Sequence, residues 1–157
     1  MSKTQTLDRV QVQIHAIASE RDYPEWLDEE SLAHFLHENL KPYEDTLPDI
    51  RRGIHDALSP PHGDRGFVLV AESDERLVGA LVMLRTGMKG YIPENLLLFV
   101  AVNAECRGQG VGRRIIERAL HRARGDVKLH VEYENPARRL YERLGFTSDY
   151  AEMRYRQ

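Results

Sequence analysis

Cysteine is almost absent from the sequence. Cys106 is the only one among 157 residues, which excludes an internal disulfide and a zinc site built on several cysteines. His34 and His37 lie one helical turn apart, but no third ligand pattern accompanies them, so a solvated helix face explains them better. We therefore expect no metal site in this protein.

Long apolar runs are absent as well. The longest, LLLFVAV at residues 96–102, is far shorter than the about 20 residues that a membrane-spanning helix needs. The opening residues MSKTQTLDRV lack the apolar stretch of a secretion signal. We expect a cytoplasmic protein with no membrane partner.

The sequence also lacks an excess of positive charge. Its net charge of −3 at pH 7 argues against nucleic acid as a partner. Residues 1–60 contain 12 acidic and 6 basic side chains (−6), whereas residues 61–157 contain 13 acidic and 16 basic ones (+3). This division fits two ligands of opposite charge, although, taken alone, solvated helix faces of arbitrary sign explain it better.

The pattern of apolar residues predicts one α/β domain over residues 1–157. VQVQIHAI alternates with the period of a strand, and two helices follow: one between Asp28 and Leu40, and one that opens at TLPD. FVLVAE, LVGALVML and NLLLFVAV are typical of three strands. A helix after ECRGQG, the strand VKLHVEY, the short helix NPARRLYERLG and one or two closing strands complete the prediction.

Three glycines stand where the strand NLLLFVAV passes into the next helix, in ECRGQGVGRR at residues 105–114. Free amides at a helix N-terminus bind anions, and glycine allows the backbone to approach a phosphate closely. Arg107, Arg113 and Arg114 add positive charge. A P-loop requires Lys and Ser/Thr after the last glycine, and a Rossmann fingerprint requires a glycine where Ile115 stands, so both are poor matches. A turn without a ligand explains three spaced glycines less well than a phosphate-binding turn does.

Two segments resemble the signatures of a known family. RGQGVG, at residues 107–112, resembles the pyrophosphate loop [Q/R]-x-x-G-x-[G/A] of the GNAT acetyltransferase superfamily. NPARRLYERLGF, at residues 135–146, resembles the second signature of that family. The resemblance implies a GNAT-like mixed sheet of about six to seven strands with about four helices, in the order β-α-α-β-β-β-α-β-α-β(β).

The resemblance further implies acetyl transfer from acetyl-CoA to a primary amine, by direct attack in a ternary complex. The strand NLLLFVAV would part from the next parallel strand, and the backbone of Val100 and Val102 would pair with the pantetheine arm. Asn135 would hydrogen-bond the pantetheine region, or would only cap its helix. The pyrophosphate would be held by Arg107, Gly108, Gln109, Gly110, Val111, Gly112 and Arg113.

Tyr141 matches the tyrosine that protonates or stabilises the departing thiolate in the family, and packing at a helix–sheet interface is the alternative. Three residues are candidates for the general base. Glu94 begins the central strand, as the base does in histone-type members. His130 lies five residues before Asn135, where ribosomal-protein alanine acetyltransferases carry a glutamate, and Glu132 shares its strand face.

Two other functions remain open at this point. One is a CoA-binding sensor that catalyses nothing, and the other is a nucleotide-binding domain of a different family. The presence of Tyr141 and of candidate bases favours the enzyme. Cys106 is a poor nucleophile because it lies in the phosphate turn with no base beside it. No motif identifies the amine acceptor, for which the charge distribution favours a cation, and a homodimer is left open.

Overall fold

The computed structural model describes residues 11–60 and 63–157. Its centre is a mixed five-stranded sheet in the order β1-β2-β3-β4-β5. Strands β1 to β4 are antiparallel to their neighbours, and β5 runs parallel to β4. The strands are β1 (Gln13–Ile17), β2 (Phe67–Ser73), β3 (Arg76–Arg85), β4 (Asn95–Val102) and β5 (Val127–Leu129). The helices are α1 (Glu29–Asn39), α2 (Leu47–Leu58), α3 (Val111–Arg122) and α4 (Ala137–Arg143).

Helices α1 and α2 begin where the sequence predicts them. The Asp28 carboxylate accepts from Ser31 N at 2.7 Å at the start of α1, and the Thr46 hydroxyl accepts from Asp49 N at 3.3 Å at the start of α2. These bonds satisfy amides that have no partner within the helix. In the described ranges, 11–60 and 63–157, no helix is long and apolar enough to cross a membrane.

The two faces of the sheet are covered by different helices, which bury two separate apolar clusters. Helices α1 and α2 cover one face with Leu32, Leu36, Ile50 and Ile54. Helices α3 and α4 cover the other with Val111, Ile115, Ile116, Ala119 and Tyr141. We call these the α1/α2 face and the α3/α4 face. Burial of these side chains is the main stabilising contribution, at about 25 cal/mol per Å² of apolar area.

A β-bulge interrupts the alternation of side chains in β4. Val82 pairs with Phe99 but Met83 pairs with Leu97, so Leu98 is the extra residue. Leu98 and Phe99 consequently both contact the α1/α2 face. Beyond the bulge, Val100 and Val102 contact the α3/α4 face. A bulge bends its strand and increases the local twist, and this one lies where β4 loses its parallel partner.

Strands β4 and β5 part soon after they pair. Their ladder contains three pairs, Asn95–Val127, Leu96–Lys128 and Leu97–Leu129, and it ends there. Residues 98–102 therefore face a gap on the side where β5 would continue. We call this gap, between residues 98–102 and residues 130–134, the splay.

A buried asparagine holds the paired end of β4 and β5 together. Asn95 is fully buried, and its amide nitrogen donates to Arg124 O at 2.8 Å and to Asp126 O at 3.1 Å. Its side-chain oxygen accepts from Arg85 Nη1 at 3.1 Å. A satisfied buried network of this kind fixes one register, so the strands can diverge only beyond it.

The α/β architecture and the four helices are confirmed, but the strand content at the C-terminus differs from the prediction. The segment VKLHVEY is a strand only over Val127–Leu129. Residues 146–157 contain no strand, and Tyr150, Met153 and Tyr155 are about nine-tenths exposed. Over residues 11–60 and 63–157 the sheet therefore has five strands rather than six or seven. The physical reason is that, in the described residues, the chain after Leu129 pairs with no neighbouring strand, so no ladder of hydrogen bonds keeps it extended.

Candidate active site

The backbone of β4 directs hydrogen-bonding groups toward the splay. Asn103 N donates to Val78 O of β3 at 2.8 Å. Successive residues of an antiparallel strand direct both backbone groups alternately to one side and then the other. The groups of Val100 and Val102 thus point away from β3, toward the splay, and Val102 O accepts there from Arg107 Nε at 3.2 Å. This edge could pair with an extended ligand as a further strand would.

The turn after β4 forms a cradle that is open toward solvent. Gly108 and Gly110 have φ of +78° and +80°, and a Cβ added at either would meet nothing within 4 Å. A Cβ on Gly112 would lie 3.4 Å from Val102 Cγ2 and 3.8 Å from Leu140 Cδ2. The first two glycines therefore allow the left-handed backbone of the turn, and the third lies between the end of β4 and α4.

Helix α3 begins in this turn without a side-chain cap. Its N-cap, Gly110, makes no side-chain hydrogen bond, and the first helical bond runs from Arg114 N to Gly110 O at 3.1 Å. The amides of Val111, Gly112 and Arg113 precede that bond at the positive end of the helix dipole. The Val111 side chain is buried in the α3/α4 face, so only its backbone can serve a ligand. Such a turn can hold a phosphate group.

The three arginines of the turn have partners in the protein. Arg113 Nε bonds to Glu117 Oε1 at 2.8 Å, and Arg114 Nη2 donates to Val12 O at 3.3 Å. Arg107 Nε donates to Val102 O, and its Nη2 donates to Asn39 O at 2.8 Å. The sequence predicted that these three charges surround a phosphate, whereas in the structure the guanidinium groups contact protein atoms.

Tyr141, a residue of α4, packs against residues of both strands of the splay. It is 9% exposed and packs in the cluster that contains Val100 and Val102 of β4 and Leu129 of β5. Its ring meets that of Phe146 edge to face, with centroids 5.8 Å apart. Burial, and then the nearby Glu132 carboxylate, raise the pKa of Tyr141 to about 12, so the phenol stays protonated at neutral pH.

Asn135 caps the start of α4 and also binds Glu132. Its side-chain oxygen accepts from Ala137 N at 3.0 Å, and its side-chain nitrogen donates to Glu132 Oε2 at 3.0 Å. The capping role that the sequence suggested is therefore present, although the regular helix starts two residues later. The second bond fixes the Glu132 carboxylate beside the splay, near Tyr141.

The structure brings two of the candidate bases to the splay and places the third elsewhere. His130 and Glu132 follow β5 directly. Partial burial, and then Lys128, lower the pKa of His130, which leaves its imidazole neutral at pH 7. Glu94 lies before β4, at the paired end of the strands, where its Oε2 accepts from Asp126 N at 2.6 Å. That bond is the main reason why the pKa of Glu94 is lowered, and it gives Glu94 a structural role there.

The loop between α1 and α2 reaches the splay, which no sequence motif indicated. Tyr43 Oη donates to Glu134 O at 3.4 Å. Partial burial, and then Asp49, raise the pKa of Asp45, and Glu132 acts on the same carboxyl in the same direction. The only sequence signal for these acids was the −6 balance over residues 1–60.

Among the residues that the structure describes, no group of three metal-ligating side chains occurs.

A comparison with protein families decides the identity of the chain. The model of the acetyltransferase (GNAT) domain matches residues 64–148, which is more than half of the sequence. The chain belongs to the GNAT acetyltransferase family. The resemblance found in the two signature segments is thereby confirmed.

Two relatives of this GNAT domain have described activities. It is 34% identical over 86 residues to the 5-NmdU N-acetyltransferase of Pseudomonas phage PaMx11. The aligned segment covers 54% of this chain and 59% of the phage protein. It is 30% identical over 115 residues to N-alpha-acetyltransferase 30 of Schizosaccharomyces pombe. That alignment covers 64% of this chain and 77% of the yeast protein. The chain thus spans less than two thirds of the length of the phage relative.

Solved structures confirm the fold of the GNAT domain. An aminoglycoside N-acetyltransferase in complex with CoA superposes with a TM-score of 0.67 at 14% identity, covering 94% of this chain and 95% of that one. The ribosomal-protein-alanine N-acetyltransferase of Brucella melitensis biovar Abortus 2308 superposes with a TM-score of 0.62 at 20% identity, and the superposition covers 94% of this chain and 99% of that one. At these identities the likeness concerns the fold alone.

Proposed function

We propose that this GNAT domain transfers an acetyl group from acetyl-CoA to a primary amine by direct attack in a ternary complex. The observation that carries the proposal is the parting of β4 from β5 beside an uncapped helix N-terminus, with Tyr141 of α4 packed in the apolar cluster that includes residues of both strands. The named activities of both relatives, which are N-acetyltransferases, support it. A cytoplasmic location belongs to the same proposal.

The residues around the splay fit acetyl-CoA. The cradle has room at Gly108 and Gly110, where a Cβ meets no atom within 4 Å, so a pyrophosphate can approach the amides of residues 108–113. The backbone groups of Val100 and Val102 can pair with an amide-bearing pantetheine arm. Asn135 would contribute by holding Glu132 and the start of α4, because both ends of its side chain are already bonded.

The side chains at the splay divide the proton transfers between them. Acetyl-CoA supplies an activated thioester carbonyl, and an amine must lose its proton before it can attack this carbon. His130 is neutral at pH 7 and can accept that proton, directly or through water. Tyr141, still protonated, can donate to the departing sulfur.

We expect substitution of His130 to change the pH profile. The pKa of His130 is lowered from 6.5, so the base form dominates at pH 7, and the rate should fall as the pH drops through this lowered pKa. In His130→Gln we expect kcat/KM to fall about tenfold or more at pH 7.5, with loss of the acidic limb. Steady-state rates between pH 5 and 9 would measure both.

Glu132→Gln is the matched comparison for that experiment. Glu132 lies two residues further along the same segment and is held by Asn135. If Glu132→Gln removes the acidic limb while His130→Gln retains it, the base is Glu132. An acidic limb that persists in both variants would contradict the assignment of either residue.

The amine acceptor is proposed to be cationic, because the α1–α2 loop and the segment after β5 bring acidic side chains together beside the splay. We call this region, which contains Asp45, Asp49 and Glu132, the acceptor side of the splay. Asp49 and Glu132 both lie close enough to Asp45 to raise the pKa of the Asp45 carboxyl, in addition to the larger effect of its partial burial. Arg154 also lies near Asp45 and partly offsets this effect. An ammonium group would be attracted to such a site and would relieve the repulsion between the carboxylates.

Release of free CoA thiol across an amine panel tests both the reaction and the acceptor. We expect polyamines, aminoglycosides or lysine-bearing peptides to be acetylated in preference to neutral and acidic amino acids. Asp45→Asn should raise the KM for the best cationic amine several-fold, whereas Asp74→Asn, in the turn between β2 and β3, should not. An acidic amino acid as the best substrate would contradict the charge argument. CoA binding without turnover of any amine would favour the non-catalytic sensor.

A further inference from the structure

The side chain of Arg107 joins the cradle to the first helix. Its Nη2 donates at 2.8 Å to Asn39 O, the carbonyl of the last residue of α1. Its Nε donates at 3.2 Å to Val102 O, the carbonyl of the last residue of β4. One planar guanidinium thus connects the end of a helix with the end of the strand that precedes the cradle.

The same stretch of chain is also attached on the far side of the splay. Four residues after Asn39, the Tyr43 hydroxyl donates to Glu134 O at 3.4 Å, and Glu134 follows β5. The segment from Asn39 to Tyr43 therefore runs from the β4 side of the splay to the β5 side. Asp45 lies just beyond it, among the acids of the acceptor side.

The bonding of Arg107 is favourable where it is. The last carbonyls of an α-helix have no partner within the helix, and they lie at the negative end of its dipole. Arginine near a helix C-terminus commonly satisfies such carbonyls. To reach a phosphate in the cradle, the guanidinium would have to leave both of these charge-assisted bonds.

We propose that Arg107 is a positioning residue that holds the α1–α2 loop to the cradle turn, rather than a ligand of the pyrophosphate. This inference rests on the proposed function for the roles of the cradle and of the acidic loop. Since one side chain connects the two regions, the acetyl-CoA side and the acceptor side of the splay are held in a fixed relation. Loss of Arg107 then loosens the acceptor loop even when the cradle itself is intact.

Three variants separate positioning from phosphate binding. Arg107→Met removes the charge and both bonds, and Arg107→Lys retains the charge but cannot bridge two carbonyls with a planar fork. Arg118→Met, on the exposed side of α3, is the matched control. The first measurement is amide hydrogen exchange at Leu40 and Tyr43, whose amides donate to Leu36 O at 3.0 Å and to Leu40 O at 2.8 Å. The second is calorimetric CoA affinity at several salt concentrations.

If Arg107 positions the loop, exchange at Leu40 and Tyr43 accelerates about tenfold in both Arg107 variants, and the control is unchanged. The salt dependence of CoA affinity then stays that of the wild type, because no phosphate contact is lost. Once an acceptor is known, its KM should rise more than the Kd for CoA.

The opposite pattern overturns the proposal. If Arg107→Lys restores CoA affinity, Arg107→Met flattens its salt dependence, and exchange at Leu40 and Tyr43 does not change, then Arg107 acts on the phosphates by charge. Neither measurement requires acetyl transfer. Failure of the proposed function would instead appear as an absence of CoA binding in the unaltered protein.

Discussion

Tyr141→Phe should lower kcat by about 10²-fold or more while acetyl-CoA affinity stays close to that of the unaltered protein. The reason is that the hydroxyl is needed when negative charge develops on sulfur, not when the ligand binds. Burial raises the pKa of Tyr141 to about 12, so the phenol is a proton donor across the whole working range. The ring itself, packed against Phe146, is preserved by the substitution. Single-turnover rates and calorimetric affinity would measure the two quantities separately.

Tyr150→Phe is the control for this experiment. Tyr150 is 92% exposed, so removing its hydroxyl should leave both kcat and affinity unchanged. An equal melting temperature for the two variants would show that Tyr141→Phe does not act through unfolding. If kcat were unaltered in Tyr141→Phe under conditions where chemistry limits the rate, Tyr141 would be a packing residue only.

Gly110→Asp should weaken CoA binding by about 10²-fold or more. Gly110 has φ of +80°, a conformation that costs about 1–2 kcal/mol for a residue with a side chain. The new side chain would enter the open space of the cradle and bring a negative charge toward the phosphates. Loss of oriented amides and charge repulsion therefore act in the same direction. Isothermal calorimetry with CoA and with acetyl-CoA would measure the change.

Gly87→Asp separates the effect of the site from that of backbone strain. Gly87 has φ of +72° and, like Gly110, no atom within 4 Å of an added Cβ, but it lies in the loop between β3 and β4. Its substitution should lower the melting temperature to a similar extent and leave CoA affinity intact. Unchanged affinity in Gly110→Asp would place the phosphate site elsewhere in the protein.

Local sequence by itself determined the helices and the glycine turn of this protein. Asp28 and Thr46 cap their helices through bonds to amides three residues ahead, an interaction that involves no distant part of the chain. The left-handed turn at Gly108 and Gly110 is likewise a property of those residues, since only glycine enters this conformation readily. The strands β2, β3 and β4 could be predicted from the sequence because apolar runs between turn residues indicate buried strands.

Only the tertiary structure decided which candidate residues meet. Glu94 and His130 were equally suitable by type, yet Glu94 binds Asp126 N at the paired end of β4 and β5, whereas His130 lies at the splay. The direction of the Arg107 side chain depends on Asn39 O, which is 68 residues distant in the sequence. The early end of β5 depends on whether a neighbouring strand is present to receive its hydrogen bonds. Such contacts arise from packing between elements, so no local pattern of residues records them.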